Sequence, residues 1–117
     1  RPYCIKNSSK LIERIAQSDM VHGITCSAGG FYAPQGRVVR AELTMPQLNS
    51  LLQSFIHNSL KITNFEMEGA QLAGLAKILG HNAMTVCMVV ANRFAKDAST
   101  DYKSSMEGLV KLVLDRI

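Results

Sequence analysis

Apolar positions along this chain alternate between helical spacing and short unbroken runs. Leu11, Ile12 and Ile15 share one face of a first helix, which Ser8 or Ser9 can cap and which is expected to end near Ser18 and Asp19. Residues 21–28 (VHGITCSA) read as a buried strand that enters a tight loop at Gly29 and Gly30. Residues 31–40 show no periodicity and contain Pro34 and Gly36, so they are expected to form a loop. Thr44, Met45, Pro46 and Gln47 read as a capping box that opens a second helix, with Leu48, Leu51, Leu52 and Phe55 on its apolar face. A very short strand is expected over 62–65. A helix follows over 67–79, with Leu72, Leu75, Ala76 and Leu79 on one side and Gly80 just past its end. The run AMTVCMVVA at 83–91 is almost wholly apolar, as a central strand covered on both faces would be. Ser104, Ser105, Met106 and Glu107 form a second capping box. It opens a last helix with Met106, Leu109, Val110, Val113 and Ile117 inward.

Helices interleaved with buried strands predict an α/β fold, a layered α/β/α arrangement on a mixed sheet, with residues 1–117 as a single domain. Two or three strands are few for such a sheet, so further strands are expected in a preceding segment. Composition agrees with a core that leans on others: 47% apolar, 6% aromatic and 19% charged. The net charge of +4 is dispersed rather than clustered, which argues against nucleic acid and for a small polar or anionic ligand. Cys4, Cys26 and Cys87 have no paired spacing, and Cys26 and Cys87 sit in apolar runs. Reduced, buried thiols in a cytoplasmic protein are the expectation. No apolar stretch is long enough to span a bilayer, so no membrane is expected among the partners. His22, His57 and His81 lack ligand spacing, and no metal site is expected.

Three clusters can do chemistry. In the loop after the first strand, Gln35 offers a donor and an acceptor, Arg37 a planar donor fork and Phe31 a stacking face. Together they can read an amide-like ring edge; equally, they can be an ordinary surface loop. Phe65, Glu66, Met67 and Glu68 lie at a strand-to-helix junction, where carboxylates can accept hydrogen bonds from vicinal hydroxyls or simply offset the helix dipole. Ala91, Asn92, Arg93 and Phe94 leave the most apolar run, either at a ligand edge or as a turn back to solvent.

The segments GITCSAGGFYAPQGR, NFEMEGAQLAGLAKILGH and VVANRF resemble, in that order, C-terminal parts of uridine phosphorylases, of the purine nucleoside phosphorylase and uridine phosphorylase superfamily. The resemblance runs from about Val21 to Phe94. It implies that Gln35 and Arg37 read uracil, that Phe31 packs on the base, and that Val90, Ala91 and Arg93 lie along the base pocket. It implies that Phe65, Glu66, Met67 and Glu68 line the ribose, and that Arg37, Glu68 and Arg93 form the catalytic set. Asn92 and Arg93 replace an aspartate of the purine-specific branch, which favours a pyrimidine. Phe65 stands where a tyrosine can occur, and Gly69 and Ala70 replace a polar pair.

The implied reaction is reversible phosphorolysis of uridine to uracil and ribose 1-phosphate, a pentosyltransferase step of nucleoside salvage and catabolism. Phosphate is a co-substrate and no cofactor is needed. The family's phosphate-binding groups come from an N-terminal portion not present here, and a further arginine comes from a neighbouring subunit. A homo-oligomer is therefore expected, with the catalytic constellation incomplete in this chain. Rival readings are a purine nucleoside phosphorylase, a nucleosidase that uses water, and a non-catalytic binding module. The purine enzyme and the nucleosidase would keep the Glu-Met-Glu segment and are expected to lack the Gln35–Arg37 pair.

Overall fold

The computed structural model describes residues 3–92 and 95–117. Its elements run in the order α1 (Ser9–Ile15), β1 (Ile24–Ser27), a 3-10 turn (Ala33–Gln35), α2 (Leu48–Ser54), β2 (Ile56–His57), β3 (Leu60–Glu66), α3 (Gly69–Ile78), β4 (Ala91–Asn92), β5 (Asp97–Ala98) and α4 (Tyr102–Leu114). The fold is mixed α/β, as the alternating pattern predicts.

β3 is the middle strand of a three-stranded sheet. It pairs in parallel with β1, Thr25 opposite Asn64, Cys26 opposite Phe65 and Ser27 opposite Glu66. It also pairs antiparallel with β2 across a tight hairpin, in which Asn58 and Ser59 adopt positive φ. The expected strand at 62–65 is thus longer than the pattern indicated, because the hairpin extends it backwards. A parallel pair needs a long crossover, and the loop, α2 and the hairpin supply it.

Three expectations fail in instructive ways. The run at 83–91 joins no ladder among the described residues until Ala91, whose partner is Ala98 in the small β4–β5 hairpin. Apolar content marks a segment for burial, but a strand also needs a ladder of backbone hydrogen bonds, and this run forms none before Ala91 although Cys87 meets Asn64 of β3. In α3 the buried face is Gly69, Ala73 and Ala76, while Leu72, Leu75, Ile78 and Leu79 point to solvent. Small residues let the helix approach the sheet closely, so the leucine stripe is its outer side. Neither capping box forms as expected: α2 begins after Gln47 with no side-chain cap, and α4 begins at Tyr102 after Asp101, whose carboxylate accepts from the Ser104 hydroxyl at 3.0 Å. The end of α3 is as read, with Gly80 at φ 74°. There the Gly80 N–H donates to Lys77 O and the His81 N–H to Ala76 O, which satisfies the last carbonyls.

The core is thin. Among the described residues, Ile15, Ala73 and Ala76 are its buried apolar side chains. The chain exposes 9183 Å², whereas a compact monomer of 12.8 kDa exposes roughly 6,300 Å². Much of the excess is helix face: the stripe on α3 and, on α4, Tyr102, Met106, Val110 and Leu114. The end of α4 is tied to α1, where Arg116 pairs with Asp19 at 2.7 Å and donates to Ile15 O at 2.9 Å.

Candidate active site

Parallel pairing sends β1 and β3 out of the sheet at the same edge, so the loop after Ser27 and the junction after Glu66 start side by side. This register starts the first two sequence clusters from neighbouring strand ends. Ligands of open α/β sheets bind at such an edge.

The loop is folded tightly on itself. The N–H groups of Gln35 and Arg37 both donate to Tyr32 O at 3.0 Å, and Gly36 turns the chain at φ 71°. The Arg37 guanidinium carbon lies 3.6 Å from the centre of the Phe31 ring, and Nη1 donates to Phe31 O at 2.7 Å and to Gln35 Oε1 at 3.4 Å. Phe31 also meets Tyr32 edge-on at 5.3 Å. The predicted base-reading trio therefore forms one unit, with Gln35 only 4% exposed and Phe31 52% exposed. An arginine held over a ring is fixed in orientation before any ligand arrives.

The junction divides its two glutamates. Both oxygens of Glu66 are occupied by protein donors: Oε1 accepts from the Ser27 hydroxyl, and Oε2 from the N–H groups of Glu68 (2.7 Å) and Gly69 (2.5 Å). Ser27 Oγ in turn accepts from the Ala70 N–H at 2.8 Å. Burial alone pushes the Glu66 carboxyl up. The Ser27 hydroxyl and the N–H groups of Glu68, Gly69 and Met67 outweigh it, so the group sits below the usual glutamate range. Glu68 is exposed, and Phe65 and Met67 are half-buried. Gly69 is where it must be: a Cβ there would lie 2.8 Å from Thr85 Oγ1 and 3.1 Å from Glu66 Cδ.

The third cluster is only partly placed. Val90 (41%) and Ala91 are exposed beside a shallow depression lined by Val89, Asn92, Asp97, Ala98 and Ser99. Arg93 lies outside the described residues. A larger concavity on α4 involves none of the site residues and is one helix's uncovered apolar stripe.

The sequence reading missed two residues. Ser27 carries a weak signal, a hydroxyl at the last position of a strand before two glycines. Asn49 carries none. Its Nδ2 donates to Gly36 O at 3.3 Å and braces the loop from α2, while its Oδ1 is buried without a hydrogen-bond partner. Cys26 and Cys87 are half-buried free thiols, pushed up by burial first; the Glu66 charge adds to this in both, and an Asn64 hydrogen bond works against it at Cys87. Cys4 is exposed.

A family model described as "Phosphorylase superfamily" matches residues 2–114. A uridine phosphorylase of Thermococcus kodakarensis is 42% identical over 81 residues, which cover 64% of this chain and 26% of that protein. Two Schistosoma mansoni proteins match over 82% of this chain and 33% of their own length: uridine phosphorylase A at 31% identity and inactive uridine phosphorylase B at 32%. Among solved structures, a Trypanosoma brucei nucleoside phosphorylase described as showing uridine phosphorylase activity superposes with TM-score 0.74 at 28% identity, covering 91% of this chain and 38% of that one. The chain spans between a quarter and two fifths of the length of these relatives. A relative named as inactive and one named without that word are about equally similar to it, so overall identity does not decide activity.

The lowered Glu66 value carries a pH prediction. A carboxyl whose folded value lies below its unfolded one contributes stability fully above the ordinary range near 4.5, and that contribution is lost as pH falls through the lower folded value. Melting temperatures of the intact protein, recorded from neutral pH into that acid range, are expected to fall. In Glu66→Gln they should start lower and decline less steeply. An acid limb identical to the parent's would show that Glu66 is not engaged as described.

Proposed function

This chain belongs to the phosphorylase superfamily, and we propose that it supplies the base and ribose subsites of a uridine phosphorylase. The observation that carries the reading is the parallel register of Ser27 with Glu66, from which the loop carrying Phe31, Gln35 and Arg37 and the junction carrying Met67 and Glu68 depart at the same sheet edge. In the proposed reaction the C1′–N1 bond breaks with its electron pair passing to N1 of uracil. A phosphate oxygen forms the new bond to C1′ from the opposite face of the sugar. Negative charge builds on the base carbonyls as the sugar gains oxocarbenium character. Arg37 and Gln35 are donors for that charge, held in place in advance and so least costly to use at the transition state. Phe31 is the face on which the base packs.

Glu68 accepts from the ribose hydroxyls, with Met67 and Phe65 as the apolar wall and Glu66 behind them. Val90, Ala91 and Arg93 complete the base side. Phosphate is a co-substrate and no cofactor takes part. The phosphate-binding groups come from the remainder of a longer polypeptide and from a neighbouring subunit of a cytoplasmic homo-oligomer. The excess of exposed apolar surface supports such cover.

Two substitutions in the full-length protein test the assignment. Arg37→Ala removes a charge-assisted donor worth about 1.5–3 kcal/mol, so kcat/KM for uridine should fall roughly tenfold to a hundredfold or more. An unchanged kcat/KM would remove the loop from base recognition. Glu68→Gln should weaken binding of uridine far more than that of free uracil, as calorimetry can read. Equal losses would make Glu68 a scaffold residue.

A further inference from the structure

The geometry points to Ser27 as a positioning residue that fixes the base loop against the sugar segment through Glu66. This inference rests on the function proposed above and deepens it.

Ser27 gives α3 one capping bond, at the Ala70 N–H, whereas Glu66 gives it two. Glu66 alone already answers the N–H groups of Glu68 and Gly69 through Oε2. What Ser27 adds is a tie across the sheet. Its hydroxyl donates to Glu66 Oε1 and accepts from the Ala70 N–H at 2.8 Å, so one oxygen joins the end of β1 to the end of β3 and to the first turn of α3. A backbone bond from the Ala28 N–H to Glu66 O, at 2.9 Å, lies beside it. Four residues downstream of Ser27 the base loop begins with Phe31, and two residues downstream of Glu66 stands Glu68. The latch therefore sits at the root of both proposed subsites, with its polar atoms engaged by protein partners.

Bond cleavage requires the base and sugar at one mutual angle, whereas holding either fragment does not. Loss of the Ser27 hydroxyl should accordingly spare uracil binding and slow the chemical step, since a misplacement of about an ångström at a reacting centre is costly. Full-length Ser27→Ala is expected to lose about tenfold or more in kcat for uridine, with KM and the Kd of free uracil within about threefold of the parent. Ser27→Thr keeps the hydroxyl and should restore kcat. Ser27→Cys keeps the bulk but offers only a weak donor, and should show the same split in smaller measure, which keeps the test open if Ser27→Ala does not fold.

A kcat within twofold of the parent alongside a lowered melting temperature would overturn the positioning role and leave Ser27 a purely structural residue. A parallel loss of uracil affinity would overturn it too, because the base loop itself would then have moved. If the parent protein releases no uracil from uridine, the parent reading falls and the positioning role falls with it.

Discussion

Ser27 and Glu66 face each other at the last rung of the parallel pair between β1 and β3, and the side chains as well as the backbones are joined there. The base loop and the sugar segment both depart from that rung. The carboxylate would be costly to desolvate on its own, and it is compensated by a hydroxyl and by the N–H groups at the start of α3. Those N–H groups have no partner inside the helix. Each side therefore meets the other's deficit, and the result is a rigid corner from which one loop and one helix depart.

The two subsites built on this corner differ in how they are held. Arg37 is pinned by a ring, a carbonyl and a neighbouring amide, with Asn49 bracing the turn at Gly36 from α2. Glu68 stands at the exposed mouth of α3 with its side chain free of the cap that Glu66 provides. A preorganised donor suits a charge that develops only in the transition state, and an exposed carboxylate suits a sugar that must enter and leave. The remaining surface is less finished. Leucines on α3 and a Tyr-Met-Val-Leu stripe on α4 face solvent, and the area exceeds that of a compact chain of this mass.

Much of this was legible in the residues. Periodicity located the helices, and the spacing of Phe31, Gln35 and Arg37 marked a cluster that the structure draws into one unit. Gly80 ends α3 as its position implies. Three things were hidden. Leucine spacing on α3 indicates an apolar face without saying which neighbour covers it, and glycine and alanine won the place against the sheet because they allow closer approach. The run at 83–91 has strand chemistry but, among the described residues, joins no ladder before Ala91. Glu66 and Glu68 are indistinguishable by composition. Only the register with Ser27 shows that one of them is occupied by the fold while the other faces outward.

The account stands or falls on what the full-length protein does with a nucleoside and phosphate. Its most direct test is the rate of free-base release from uridine, thymidine and inosine, each measured with and without phosphate. The account predicts uracil release from uridine that depends on phosphate, with inosine turned over far more slowly. Hypoxanthine release from inosine as fast as uracil release, or base release that proceeds equally without phosphate, would contradict it.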